Sequence, residues 1–513
     1  MSDTVVYLIA LAVYFAAMIA IGFYGFTQTK SDEDYVLGGR NLPAPVAALS
    51  AGASDMSGWL MMGLPGAIYL SGLMEAWMAI GLTIGAYLNW KLVAPRLRAY
   101  TEVAGNALTV PTFFENRLHD RSRVLRIVAG IVILVFFTLY VSSGMVAGGK
   151  FFESSFGALF DDGANVYLIG MLLVGGITVL YSLFGGFLGA SFTDFVQGIM
   201  MMLALIAVPI LAFIAVGSLD EVTGQLTAEQ ASWFGGEATG ASVLAVVSAA
   251  AWGLGYFGQP HIIVRFMALR SAKEAKIARR IGMGWMVVSL LGTVLAGFIG
   301  IAYLRQQGVV LDEVTAETVV LVMAQTLFHP FIAGLVLAAV VAAIMSTISS
   351  QLIVSSSALV DDIAQAFFRR KPSAQGGLWL GRAGVLVVSI VAMVLALDPN
   401  SSILALVGFA WAGFGAAFGP LILLSLFWRR LTTWGALAGM VVGSVVVFTW
   451  QYLPAPVSDL YELLPGFVLA LLAAVVVSLA TFRAEGAGQD DIQDEFTRTG
   501  AIVLEGVRPS RES

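Results

Sequence analysis

The 513-residue chain contains no cysteine, which excludes disulfides, thiolate nucleophiles and cysteine-ligated metals. Only three histidines occur, His119, His261 and His329, too far apart in sequence to suggest a metal cluster. Charge is scarce as well: acidic and basic residues together make up 12%, where a soluble globular protein carries about 25%. A Walker A loop and a kinase signature are missing, which argues against an ATP-driven pump on this chain. The letters Gly253-Leu-Gly-Tyr-Phe-Gly258 match a dinucleotide fingerprint, but they sit inside an apolar run with no preceding strand, so that reading is rejected.

What is abundant is apolar sequence, 58% of all residues. It is divided into runs of about 20 residues, each long enough to cross a ~30 Å hydrocarbon layer as a helix. The runs predict thirteen spans, at roughly 4–26, 45–70, 73–94, 127–149, 166–188, 191–217, 242–266, 283–305, 331–359, 379–397, 401–428, 434–453 and 464–482. The expected class is an all-α integral membrane protein, with one transmembrane domain over 1–483 and a flexible polar tail over 484–513. The first run lacks a basic leader and is read as a retained helix, not a signal peptide. An odd count places the termini on opposite sides. Arg40, Lys91, Arg96, Arg98, Arg117, Arg126, Arg265, Arg270, Arg429 and Arg430, with many other basic residues, fall on one side. Only Lys150 and Arg305 fall on the other, among acids such as Glu317. Basic residues stay cytoplasmic in short loops, so the N-terminus is expected outside and the C-terminus inside, in a bacterial inner membrane.

Two spans interrupt their own helices. Span 2 carries Ser50-Ala-Gly-Ala-Ser-Asp-Met-Ser-Gly58 and span 7 carries Trp252-Gly-Leu-Gly-Tyr-Phe-Gly-Gln-Pro260. Backbone freed inside a membrane must be satisfied by protein, water or ligand. The two spans lie five apart and run in opposite directions, the layout of an inverted repeat of spans 2–6 against 7–11. Glycines alone would equally serve close helix contact. Asp55 argues for more, because a central aspartate costs roughly 2.5–3.5 kcal/mol and needs a partner, a proton or a wet cavity. Span 9 contributes Ser346 and Thr347. Such hydroxyls usually bond back to the preceding turn, but beside freed carbonyls they offer the oxygen ligands a small hard cation takes. The pairs Asp161–Asp162 and Asp361–Asp362 read as loop or helix-end charges.

Asp34-Tyr-Val-Leu-Gly-Gly-Arg40, Ala48-Leu-Ser-Ala-Gly-Ala-Ser-Asp-Met-Ser-Gly-Trp59, the span 7 stretch through His261, Met345-Ser-Thr347 and Trp411-Ala-Gly-Phe-Gly-Ala-Ala-Phe-Gly-Pro420 resemble the sodium:solute symporters, and within them the proline carriers. The resemblance implies a leucine-transporter-like core, alternating access, and sodium as co-substrate with no other cofactor. It implies sodium held by the carbonyls of Ala53, Met56 and Ala343 and the hydroxyls of Ser346 and Thr347, with Asp55, Arg40 and Asp194 in supporting roles. L-Proline would then set its carboxylate on the amides of Ser57 and Gly58, where a half-helix dipole favours an anion. Its ammonium would face Tyr140 or span 7 carbonyls, and its ring would face Trp252, Tyr256 and Pro260, with Gln259 nearby. Partners beyond proline, sodium and the lipid bilayer are not expected, neither nucleic acid nor an obligate protein. The rival readings are proton coupling through a titrating Asp55, and another small amino acid or carboxylate as solute. An enzyme would need a catalytic constellation and a sensor an output domain, and neither is evident.

Overall fold

The structure, a computed structural model, describes residues 3–28, 37–160, 164–368, 374–482 and 489–505. Asp161 and Asp162 lie outside them. Every regular element among the described residues is helical, and the one β-type contact there is an isolated bridge between Leu42 and Leu269. The principal helices are α1 (Asp3–Gln28), α2 (Ala44–Asp55), α3 (Leu64–Ser71), α4 (Ala76–Leu88), α5 (Ala94–Val103), α6 (Val110–Arg117), α7 (Val124–Phe156), α8 (Val166–Val216) and α9 (Gly240–Ala251). They continue with α10 (Pro260–Met267), α11 (Glu274–Gln306), α12 (Val319–Leu327), α13 (Pro330–Ser357), α14 (Ala374–Leu395), α15 (Ile403–Phe427), α16 (Thr433–Trp450), α17 (Leu463–Thr481) and α18 (Gln489–Glu505).

Local chemistry sets where the apolar chain breaks. α8 runs for 51 residues, but Gly186, at φ 57° and ψ −174°, folds it into two passages. That conformation is open to glycine and closed to nearly every other residue. Gly72, at φ 80°, ends α3 and turns the chain toward α4, where a Cβ would collide with the Gln230 backbone. Helix starts are capped by side chains: Asn165 accepts from the Leu168 amide, Ser402 from that of Ala405, and Thr239 forms a reciprocal capping box with Ser242.

Among the described residues ten helical stretches are long and apolar enough to cross a membrane. One of them, Trp59–Val103, holds the Gly72 turn and so counts as two passages; the shorter apolar helices Val166–Leu180 and Trp379–Leu395 complete thirteen among the described residues. A further short apolar helix, Ala316–Leu327, packs against α11 and α13. α13 is the buried centre, covered nearly throughout from Val336 to Ile353. α1 at the periphery exposes Val13, Ile19 and Phe23 by 59–66%, an apolar face suited to lipid and not to water.

The two interrupted spans run antiparallel through this centre. The Leu42 amide, just before α2, donates to Ala268 O just after α10, at 3.0 Å. At the far end the Leu73 amide donates to Gln230 O, also at 3.0 Å, in the loop that leads to α9. Span 2 therefore starts at the arginine-rich end where span 7 finishes.

The tail departs from expectation. Residues 489–505 are not a loose polar segment; they form α18, which packs against α5. Its apolar residues Ile492 and Phe496 lie one turn apart on one face, a pattern diluted by the surrounding charge and so missed at the level of composition.

Candidate ion and solute site

α2 stops at Asp55 because Met56 leaves helical geometry, at φ −81° and ψ 80°. The Met56 amide still donates to Gly52 O at 2.8 Å, but the Leu60 amide donates to Ser57 O at 3.0 Å. In an unbroken helix Leu60 would serve Met56 O, so the break releases that carbonyl. The chain resumes as a wide π-type turn over Trp59–Gly63 before α3. The Ser57 amide, expected to receive the solute carboxylate, donates here to Asp55 O at 3.0 Å; Gly58 follows it as the cap of the second half-helix.

α13 lies directly against the break. Ser346 Oγ donates to Ala53 O at 2.8 Å and to Ala343 O at 3.1 Å. Thr347 Oγ1 lies 3.5 Å from Ala53 O and 3.3 Å from Ala343 O. Four of the five oxygens expected around a cation thus gather in one buried cluster. Each hydroxyl carries two lone pairs besides its proton, so a cation among them can take the place of the hydroxyl protons.

Asp55 ties three spans together beside that cluster. Its Oδ2 accepts from Tyr256 Oη at 2.5 Å, and its backbone oxygen accepts from Tyr140 Oη at 3.3 Å and Trp59 Nε1 at 3.0 Å. Its Oδ1 is buried with no hydrogen-bond partner. The Tyr256 carbonyl is in turn held by Asn89 Nδ2 at 2.8 Å. Trp252 stacks on Tyr461 at 5.3 Å and 18° and on Trp411 at 6.3 Å and 26°. Trp411 Nε1 donates to Trp252 O at 2.8 Å. Gln259 Nε2 donates to Gly255 O and Trp411 O at 3.2 and 3.1 Å, fastening the span 7 break to α15. Pro260 opens α10 and lines a cavity of about 20 Å³ with Phe187, Val264 and Ile353, about the room one water needs.

The span 7 glycines also permit contact. A Cβ on Gly253 would strike the Gly81 carbonyl, and one on Gly255 the Trp411 indole. Gly253→Ala is expected to force spans 3 and 7 apart and remove most transport while the protein still reaches the membrane. Gly176→Ala, whose Cβ would meet nothing within 4 Å, is the control, with uptake and thermal unfolding as readouts.

A buried charge network lies nearer the arginine-rich end. Asp194 Oδ2 accepts from Ser50 Oγ at 2.7 Å and Arg265 Nη2 at 3.2 Å. Arg265 also donates to Ser350 Oγ at 2.7 Å and His261 O at 2.6 Å. Grouping Arg265 with the basic loops missed this role: it is 1% exposed and joins spans 2, 6, 7 and 9. The available signal was an arginine one turn after His261 within the apolar half-helix that follows the break. Arg40 donates to Asn106 Oδ1, Thr101 Oγ1, Met267 O and Ala107 O at 2.6–3.0 Å, pinning the starts and ends of the broken spans. Asp362, read as a helix-end charge, is instead buried; it accepts from Arg126, Thr109 and Thr112. On the opposite side Lys150 and Glu317 form a buried pair at 2.7 Å, and Glu317 Oε1 also accepts from Ser402 Oγ and the Leu404 amide.

Residues 35–443 match the model of the sodium:solute symporter family. The high-affinity proline transporter PutP of Bacillus subtilis is 54% identical over 478 residues, which cover 93% of this chain and 98% of the relative. The osmoregulated proline transporter OpuE of the same organism is 51% identical, covering 93% and 95%. The sodium/proline symporter of Salmonella typhimurium is 48% identical, covering 92% of each. Among solved structures, a Na+-coupled sialic acid symporter in a substrate-bound outward-open state superposes with a TM-score of 0.74 at 20% identity, covering 94% of this chain and 99% of that one. MhsT in complex with L-phenylalanine superposes with a TM-score of 0.53 at 16% identity, covering 85% and 98%. At those identities the likeness speaks for the fold.

Proposed function

The chain belongs to the sodium:solute symporter family, and from that premise we propose that it carries L-proline into the cell on a sodium gradient by alternating access. It is a multi-pass transporter of leucine-transporter-like fold, not an enzyme. The reading places it in the bacterial inner membrane with the arginine-rich end cytoplasmic, the N-terminus outside and the C-terminus inside. The membrane-spanning domain is taken as 1–483 and the cytoplasmic tail as 484–513.

One observation carries the ion site: the oxygens of Ala53, Ala343, Ser346 and Thr347 crowd together where span 2 loses its helix. In this reading sodium sits among them with Met56 O, and Asp55 adds negative field without ligating. Proline lies on the other side of the break. Its carboxylate exchanges places with Asp55 O at the Ser57 amide and reaches Gly58, where the half-helix dipole favours it. Tyr140 and Tyr256, both already bonded to Asp55, report to the solute whether the ion-binding break is in order. Trp252 gives the ring an apolar wall backed by Tyr461, with Pro260 at the lower edge and Gln259 fixing the break from behind. Arg40 and Asp194 hold the cytoplasmic ends of the same helices.

The driving force suffices. One sodium moving across ~100 mV yields about 2.3 kcal/mol, and a tenfold gradient adds about 1.4 kcal/mol. Together they sustain a solute ratio on the order of 500-fold at one-to-one coupling. Coupling requires that sodium and proline each strengthen the other's binding. Thr347→Ala removes one ion-facing hydroxyl and is expected to weaken sodium affinity roughly 10- to 100-fold, leaving proline binding at saturating sodium nearly intact. Labelled L-proline uptake into proteoliposomes with and without an inward sodium gradient tests the whole reading. Uptake driven by a pH gradient in sodium-free buffer would replace the ion, and stronger competition by another amino acid or a carboxylate would replace the solute.

A further inference from the structure

We propose that α18 is a built-in clamp that holds the arginine-rich mouth of the transporter shut, and that its release accompanies opening of that mouth. The inference stands apart from which ion and solute the carrier takes.

The helix is docked by one face. Ile492 and Thr499 are buried at 5% and 2% exposure, with Phe496 packed between them, while Asp494 and Arg498 on the other face keep half or more of their side chains exposed. This spacing is that of an amphipathic helix bound to a surface. The Phe496 ring meets Tyr100 of α5 edge-on at 6.3 Å, and the guanidinium groups of Arg117 and Arg429 lie over it at 5.8 and 5.0 Å. Glu495 Oε1 lies 3.4 Å from His119 Nε2, and Gln493 Oε1 accepts from Arg429 Nη1 at 3.4 Å. One short helix therefore reaches α5, the end of α6 and the turn between α15 and α16.

What lies beneath makes the position consequential. On α5, Arg98 donates to the carbonyls of Leu269 and Arg270, just past the end of span 7. Thr101 Oγ1 accepts from Arg40, which also binds Met267 O, just before the start of span 2. α6 is joined to α15 through Arg117 Nε and Ser425 O at 3.0 Å. The segments that gather the ends of both broken spans are thus the ones α18 grips. A body that binds one arrangement of a two-state element biases the element toward that arrangement.

The contact is also built to let go. Arg117 Nη1 and Nη2 and Glu495 Oε2 are buried without hydrogen-bond partners, and each would regain water on release. Burial pushes the Glu495 carboxyl up, opposed by His119 and Arg117 and reinforced by Asp491. The docked helix therefore holds a proton more tightly than a free one, so docking is firmest in acid and loosens as pH rises through the raised value.

The cysteine-free chain allows a direct test. Ser357 lines the small cavity on this side together with Thr109, Pro260 and Asp362. A single Ser357→Cys substitution is labelled with a membrane-impermeant maleimide applied from the arginine-rich side. Labelling is compared among the otherwise full chain, Phe496→Ala, and a chain ending at residue 482. Both tail variants are expected to label several-fold faster, and the otherwise full chain to label faster at alkaline than at acidic pH after correction for thiolate reactivity on a reference peptide. If the truncated chain does not fold, Phe496→Ala and Arg429→Gln decide the matter. Equal labelling across the folded variants overturns the clamp. Because this readout needs neither sodium nor proline, failure of the transport reading would leave it intact.

Discussion

Asp55→Ala is expected to abolish sodium-dependent proline binding and uptake, with Asp55→Asn falling between it and the parent chain. The carboxylate answers two needs. It accepts the Tyr256 hydroxyl at 2.5 Å, which fastens span 7 to the break in span 2, and in the proposed ion site its charge, on the same helix end as the oxygen cluster, would add negative field for the cation. Alanine removes both. Asparagine keeps an acceptor for Tyr256 and removes the charge, whose field at an effective dielectric near 20 is worth on the order of 3 kcal/mol to a nearby cation, or about 100-fold in affinity. Sodium titration of labelled proline binding to purified protein separates the contributions. Asparagine should shift the sodium midpoint while saturating sodium restores binding; alanine should not be rescued. Wild-type sodium affinity in the asparagine variant would show that the charge takes no part in holding the ion.

Arg265→Gln is expected to cost about 3–5 kcal/mol of stability, because it strands the buried Asp194 carboxylate. The pair lies at 3.2 Å with both side chains 1% exposed. A carboxylate deprived of its partner at that depth must either stay charged without compensation or take up a proton. The double variant Asp194→Asn/Arg265→Gln retains neutral hydrogen-bonding groups toward Ser50 and Ser350 and should recover most of the loss. Thermal unfolding of the four proteins of this cycle measures the coupling. Additive losses, with no recovery in the double variant, would mean that the pair is not a unit.

The membrane class and the thirteen passages were legible because a hydrocarbon layer imposes one length and one polarity on every span, and composition alone carries that signal. The broken spans were legible for a related reason: Asp55 among small polar residues, and Gly253 to Pro260 ahead of His261, are costly in lipid unless backbone is freed there. The structure bears out both interruptions. The tail was misread, since Ile492 and Phe496 are too few among acids and amides to shift composition, and helix docking depends on a partner surface.

The sequence by itself determined which groups could not be left alone in a bilayer: Asp55 and the freed peptide groups of spans 2 and 7. Their partners were decided only by tertiary structure. Asp55 meets Tyr256 across 201 positions, and Ser346 meets Ala53 across 293. An apolar environment makes an unpaired polar group costly wherever it lies along the chain. Which other group relieves that cost depends on how the helices cross, a property that no local spacing encodes.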